Sequence, residues 1–190
     1  MKVNFYNPIN FTATKYAEIP KVMKFNPQTK SYEDEEISLV EIDIHNKKDF
    51  TSMLNAVKDW DNNEFATDII LDAFALRHVP DKGETKFLAL TSQKNNFDYL
   101  DFKKIQVLCE LKEDESGEHA SIEYLQAKPL SYYDNSYKKK GTGLINVLKE
   151  IYKKISLVSS DKTETMEFYE RNGFRPNRMR ERGYTWEKEI

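Results

Sequence analysis

Three segments of strand length follow one another between residues 86 and 127: KFLALTS (86–92), KIQVLCEL (104–111) and ASIEYLQA (120–127). This series constrains the fold of the chain most. The connections, QKNNFDYLDFK and KEDESGEH, are polar, and such links suit antiparallel hairpins, so a meander is expected. Upstream, ISLVEIDI from Ile37 alternates apolar and polar residues from Leu39 onward and reads as a half-buried strand. Asn46 is placed to cap a helix whose apolar face is Phe50, Met53, Leu54, Val57 and Trp60. DNN (61–63) breaks that helix, and a second one follows with Phe65, Ile69, Ile70, Ala73, Phe74 and Leu76, ended by Pro80 and Gly83.

Downstream of the meander, SYKKKGTGLINVLKEIYKK (136–154) begins with lysines and glycines and continues as an amphipathic helix. Its expected buried stripe is Leu144, Ile145, Val147, Leu148, Ile151 and Tyr152. ISLVSS (155–160) reads as a buried strand, Asp161 with Glu164 as a capping box for a last helix, and Asn172-Gly173 as its left-handed stop. YTWEKEI alternates again and gives a final strand. The order implies an α/β (α+β) domain: a mixed, mostly antiparallel sheet with helices on both faces. Residues 1–36, with Phe5, Tyr6, Phe11, Tyr16 and turn-favouring Asn-Pro pairs, are expected to form an extension packed on the domain at 37–190. Within it Val22 to Phe25 suits a short strand and Asn26-Pro27-Gln28 a turn.

The net charge of −3 hides an acidic run at 33–36 and basic groups at Lys138–Lys140 and between Arg175 and Arg182. This balance gives no reason to expect nucleic-acid or membrane binding. Cys109 is the only cysteine, so no internal disulfide forms, and it sits in an apolar run that suits burial. His45, His78 and His119 lie far apart and form no ligand-spaced pair, so no catalytic metal is expected. MKVNFYNPINF lacks the apolar centre of a signal peptide, and a cytoplasmic protein is the expectation.

Positive charge and glycine backbone at a helix start are the ingredients of an anion site, most often for phosphate. A Walker loop is excluded because no Gly-Lys-Ser/Thr follows. Gly141-x-Gly143-x-x-Asn146, with Asp161 after the next strand, approaches a dinucleotide fingerprint but lacks its third glycine and its tight entry from a strand. A solvated lysine run before an ordinary helix is the plain alternative.

Lys138-Lys139-Lys140-Gly141-Thr142-Gly143 also resembles the Arg/Gln-x-x-Gly-x-Gly/Ala loop of the GCN5-related N-acetyltransferases (GNAT). Tyr124-Leu125-Gln126-Ala127-Lys128-Pro129 looks like the end of that family's fourth strand, and Phe168-Tyr169-Glu170-Arg171-Asn172-Gly173-Phe174 looks like its FYEKLGF signature. The resemblance spans most of the chain beyond residue 36. It implies acetyl-CoA as acyl donor and an amine, on a small molecule or a protein, as acceptor. The pyrophosphate would be held by Lys138, Lys139, Lys140, Gly141, Thr142 and Gly143, with Lys138 in the place of the family's Arg or Gln. The main chain of Leu125, Gln126 and Ala127 would align the donor, and Lys162 stands where the family often has Asn. Tyr169 matches the general acid toward the donor sulfur, and a purely packing tyrosine is the alternative. For the base, strand period places Ser121, Glu123 and Leu125 on one face, which makes Glu123 the first candidate. Glu110 and water remain open, as does a merely solvated Glu123. LSYYDNSY (130–137) is longer than the family's usual spacing and offers a lid or acceptor wall. Family members are often dimers, and a homodimer stays open here. A non-catalytic acyl-CoA-binding or protein-interaction module on the same fold is the alternative function.

Overall fold

The computed structural model describes residues 13–61, 64–79, 84–129, 136–177 and 181–188. In chain order the elements are β1 (Thr14–Lys15), β2 (Lys21–Asn26), β3 (Ser31–Glu36), β4 (Ser38–Glu41), α1 (Lys47–Asp59), α2 (Glu64–Leu76), β5 (Thr85–Thr91), β6 (Ile105–Glu113), β7 (His119–Ala127), β8 (Tyr137–Lys138), α3 (Lys140–Ile151), β9 (Lys154–Val158), α4 (Thr163–Arg171), β10 (Arg175–Pro176) and β11 (Gly183–Glu187). Among the described residues, eight strands form one sheet in the order β1-β4-β5-β6-β7-β9-β11-β10. Its ladders are antiparallel except for β7 with β9, where the crossover through α3 returns the chain parallel. The meander read from the sequence is β5, β6 and β7, and the buried strand after it is β9.

Each face of the sheet carries its own core. On one side Leu39, Leu88, Leu90, Val107, Cys109, Leu111 and Ile122 pack with Leu144, Ile145, Leu148 and Tyr169 from α3 and α4. On the other, Val40, Phe87, Ala89 and Leu108 pack with Met53, Ala56, Val57, Ala66, Ile69 and Ala73 from α1 and α2. This explains β4: Leu39 and Val40 are both wholly buried, because both faces of a central strand are covered. The half-buried reading of that segment fails for this reason, and β4 ends at Glu41.

Local signals set the helix ends. The Asn46 side chain accepts from the Lys48 N–H at 2.8 Å and opens α1. After α4, Gly173 has φ +76, and the N–H groups of Gly173 and Phe174 bond to the carbonyls of Glu170 and Tyr169. That pair is the Schellman stop the sequence implies. The expected capping box does not form: Lys162 occupies the N-cap of α4 without a side-chain bond, one residue past Asp161. Phe74 is also a correction. It is 55% exposed, since the buried stripe of α2 runs through Ala66, Ile69 and Ala73.

Residues 13–36 pair with the rest of the chain. β2 and β3 form a hairpin, and β2 pairs with β8 to give a three-stranded sheet, β3-β2-β8. Val22 enters the α3-side core. Two-residue strands such as β8 carry too little pattern to be read from sequence. The breaks read at Asn62-Asn63 and at Pro80 and Gly83, the Asn-Pro turns before residue 13, and most of LSYYDNSY lie outside the described residues. No helix among the described residues is long and apolar enough to cross a membrane.

Candidate functional site

Beyond Ile122, β7 and β9 part. Their parallel ladder runs from His119↔Lys154 to Ile122↔Leu157, whereas β7 continues to Ala127. The last five residues of β7 therefore have no ladder partner on the β9 side. A β-bulge sits where the strands separate: the β6–β7 register passes from Leu111↔Ile122 to Glu110↔Tyr124, which leaves Glu123 as the extra residue. The bulge reverses the facing of the residues after it. Ile122 lies in the α3-side core, Tyr124 packs on the α1/α2-side core, and Leu125 is again on the α3 side. The expected common face of Ser121, Glu123 and Leu125 is thus not formed. Ser121 is opposite Lys112, and Glu123 makes an exposed ion pair with Lys112 at 3.8 Å, whereas Leu125 turns inward. An inserted residue shifts the two-residue period by one, and single-strand periodicity cannot show this.

The helix α3 starts beside this split. Its N-cap, Lys139, has φ 53 and makes no side-chain cap bond, and the first intrahelical bond runs from the Gly143 N–H to the Lys139 carbonyl at 2.8 Å. Its first-turn amides carry the positive end of the helix dipole. A Cβ on Gly141 would lie 3.0 Å from Phe168 Cζ of α4 and 3.8 Å from Leu125 Cδ2 of β7. A Cβ on Gly143 would meet the Lys21 carbonyl oxygen of β2 at 2.6 Å. Gly143 is therefore required by packing against a backbone, whereas at Gly141 the nearest atoms belong to side chains that can yield. Thr142 is half-buried between them.

The three lysines point in different directions. Lys138 belongs to β8 and holds its Nζ 4.0 Å over the Tyr32 ring of β3. Lys139 is exposed. Lys140 is buried and donates to the Lys128 carbonyl just past the end of β7. Lys162 is exposed at the start of α4. Gln126 faces away from α3, opposite Leu108, and Ala127 packs on the α3-side core opposite Val107.

Tyr169 is 7% exposed, with its ring edge-on to Phe168 and Phe174. Burial first, and the nearby Cys109 second, push its hydroxyl well above the ordinary phenol range. That hydroxyl makes no hydrogen bond with a described residue. Cys109 is itself buried and its thiol is held protonated by desolvation, which agrees with a packing role.

Across the sheet, on the α1/α2 side, lies a group that sequence reasoning saw only in part. Glu110 is 2% exposed and its Oε2 has no hydrogen-bond partner. Burial, then Asp72 of α2, push its carboxyl up to about 8, with Glu123 and Asp68 adding to the effect and Lys112 opposing it. Tyr124, its cross-strand partner, is raised by burial and by the same four carboxylates. Glu110 was legible as a weaker candidate. Asp68 and Asp72 were not, although their four-residue spacing beside the Ile69–Ala73 stripe places them on one side of α2.

No protein-family model matches the sequence, and comparison with curated proteins gives no significant relative. Solved structures do match. The GNAT domain of S. lividans PAT superposes with a TM-score of 0.51 at 7% identity, over 93% of this chain and 97% of that one. A GNAT-family acetyltransferase from Staphylococcus aureus Mu50 gives a TM-score of 0.48 at 18% identity, over 80% of this chain and 98% of that one. Identities this low speak for architecture alone, and in its architecture the chain has the fold of the GCN5-related N-acetyltransferases.

Proposed function

We propose that the protein is an acyltransferase that moves an acyl group, acetyl first among them, from a coenzyme A thioester to an amine. One observation carries this reading: the end of β7, which has no ladder partner on the β9 side, lies directly beside the start of α3, with Leu125 Cδ2 only 3.8 Å from where a Gly141 side chain would begin. The two parts fit the two halves of such a donor. An extended arm can take strand-like hydrogen bonds from the main chain of Leu125 to Ala127, and a pyrophosphate suits amides at a helix start. The helix start carries most of that anion binding. Lys139 adds charge from an exposed position, while Lys138 and Lys140 have intramolecular contacts of their own.

The donor supplies an activated thioester carbonyl. In the transfer a C–N bond forms and the C–S bond breaks. The amine proton passes to a carboxylate, directly or through water, and the leaving sulfur takes a proton. Tyr169 is the candidate donor of that last proton. Its buried hydroxyl stays protonated at neutral pH. Glu110 and Glu123 are the candidate bases. Glu110, held near 8 by burial, is better matched to neutral pH, and Glu123 is closer to solvent.

The test is calorimetric titration with acetyl-CoA, and with coenzyme A and NAD in parallel. Micromolar acetyl-CoA binding together with acetylation of an amine in a panel supports the reading. Binding to NAD alone would sink it. A non-catalytic acyl-CoA-binding module is the second reading, favoured by the engagement of Lys138 and Lys140 elsewhere. Tight donor binding with no acylated amine would select it.

A further inference from the structure

We propose, resting on the acyltransferase reading, that the α2-facing side of β6 and β7 binds an acceptor amine with at least two cationic nitrogens, through Asp68, Asp72 and Glu123 gathered around the buried carboxylate of Glu110. Surface carboxylates alone would not carry this. The independent observation is Glu110, whose Oε2 is buried without a partner in a residue only 2% exposed. An unpaired buried carboxylate is costly, so Glu110 keeps its proton in the free protein, and a ligand that brings N–H donors and positive charge is what lets it ionise in place.

The surroundings fix what kind of ligand that is. Asp68 and Asp72 make no ion pair or hydrogen bond with a described residue, and Glu123 has only a 3.8 Å contact with Lys112. Three carboxylates, Asp72, Glu123 and Asp68, thus stand against one lysine, Lys112, among the groups acting on Glu110. Asp68 and Asp72 are four apart on α2, which puts their Cβ atoms roughly 5–6 Å from each other. Neighbouring nitrogens on a short alkyl chain match that spacing. A metal ion does not fit: among the described residues no three His, Cys, Asp or Glu side chains converge closely enough to hold one. Spread negative charge around a single buried acceptor suits a flexible organic polycation. Its reacting nitrogen would meet Glu110 at the bulge, and a second nitrogen would meet Asp68 and Asp72.

The experiment is calorimetry on the full chain with a linear aliphatic triamine, a monoamine of the same length, and magnesium chloride, each without donor. The triamine should bind at least tenfold more tightly than the monoamine, weaken at least tenfold in Asp68→Asn/Asp72→Asn, and weaken with added salt. Glu110→Gln, which keeps the side-chain volume, should also weaken it. Equal affinity for the two amines, affinity unchanged in the double variant, or magnesium binding that excludes the triamine would overturn the proposal. Acetyl-CoA titration separates the two readings. Donor binding without triamine preference removes this acceptor class and leaves the acyltransferase. Triamine binding without donor binding overturns the acceptor role, because the acyltransferase reading has then failed.

Discussion

Burial makes ionisation of Glu110 expensive, and this links its proton to the stability of the whole chain. Its folded carboxyl is pushed up to about 8 from an ordinary value of 4.5. Between those values the native state holds a proton that the unfolded chain has released, so stability falls as pH rises from about 5 to about 8. Glu110→Gln removes the dependence. The variant should match the parent near pH 4.5 and melt higher at pH 8.5, by an amount on the order of 1–3 kcal/mol, as read from paired melts across the range. A melting gap that does not widen with pH would show that Glu110 ionises freely. Tyr169 gives a second test at this scale. Tyr169→Phe keeps the ring contacts with Phe168 and Phe174 and deletes only the hydroxyl. Turnover should fall by roughly 10²-fold or more with acetyl-CoA affinity nearly unchanged. Unchanged turnover would leave Tyr169 as a packing residue.

Among the elements, the start of α3 is the most tightly constrained. Alanine is ordinarily a better helix residue than glycine by about 1 kcal/mol. At Gly143 that gain is outweighed, because the new Cβ would lie 2.6 Å from a backbone oxygen of β2. Gly143→Ala should cost a net ~1–3 kcal/mol, seen as a lower Tm. At Gly141 the obstacle is the edge of the Phe168 ring at 3.0 Å, which can tilt away. Gly141→Ala should stay within about 1 kcal/mol of the parent. Equal melting of the two variants would mean that β2 does not press on α3 as described.

At the scale of the molecule, the hairpin of β2 and β3 ties the N-terminal part of the described chain to the helix start that the donor would use. β2 pairs with β8, the Phe25 N–H bonds the Ser136 carbonyl at 2.8 Å, and Val22 is 2% exposed in the α3-side core. Val22→Ala should therefore cost on the order of 1–2 kcal/mol through lost burial. It should also weaken acetyl-CoA binding several-fold, although Val22 is not among the residues proposed to hold the donor. Destabilisation with donor affinity unchanged would show that the hairpin supports the core but not the helix start.

The sequence by itself determined the order of the main elements, because their apolar patterns differ: short continuous apolar runs between polar connections in β5 and β6, and a period near 3.6 in α1, α2 and α3. It also determined the Asn46 cap and the Gly173 stop, since each answers a local backbone need, whereas the space that Gly143 leaves for β2 is set by tertiary contact. Only the tertiary structure decided how those pieces meet. The bulge at Glu123 depends on β6 and moves Leu125 to the other face. The short pairing of β2 with β8 depends on contacts more than a hundred residues apart. Burial of Leu39 and Val40 alike depends on helices from both halves of the chain. The same holds for the candidate site. Its glycine-led helix start was legible locally, while the orphaned carboxylate of Glu110 and its neighbours Asp68 and Asp72 exist as a group only because α2 crosses the sheet above the bulge.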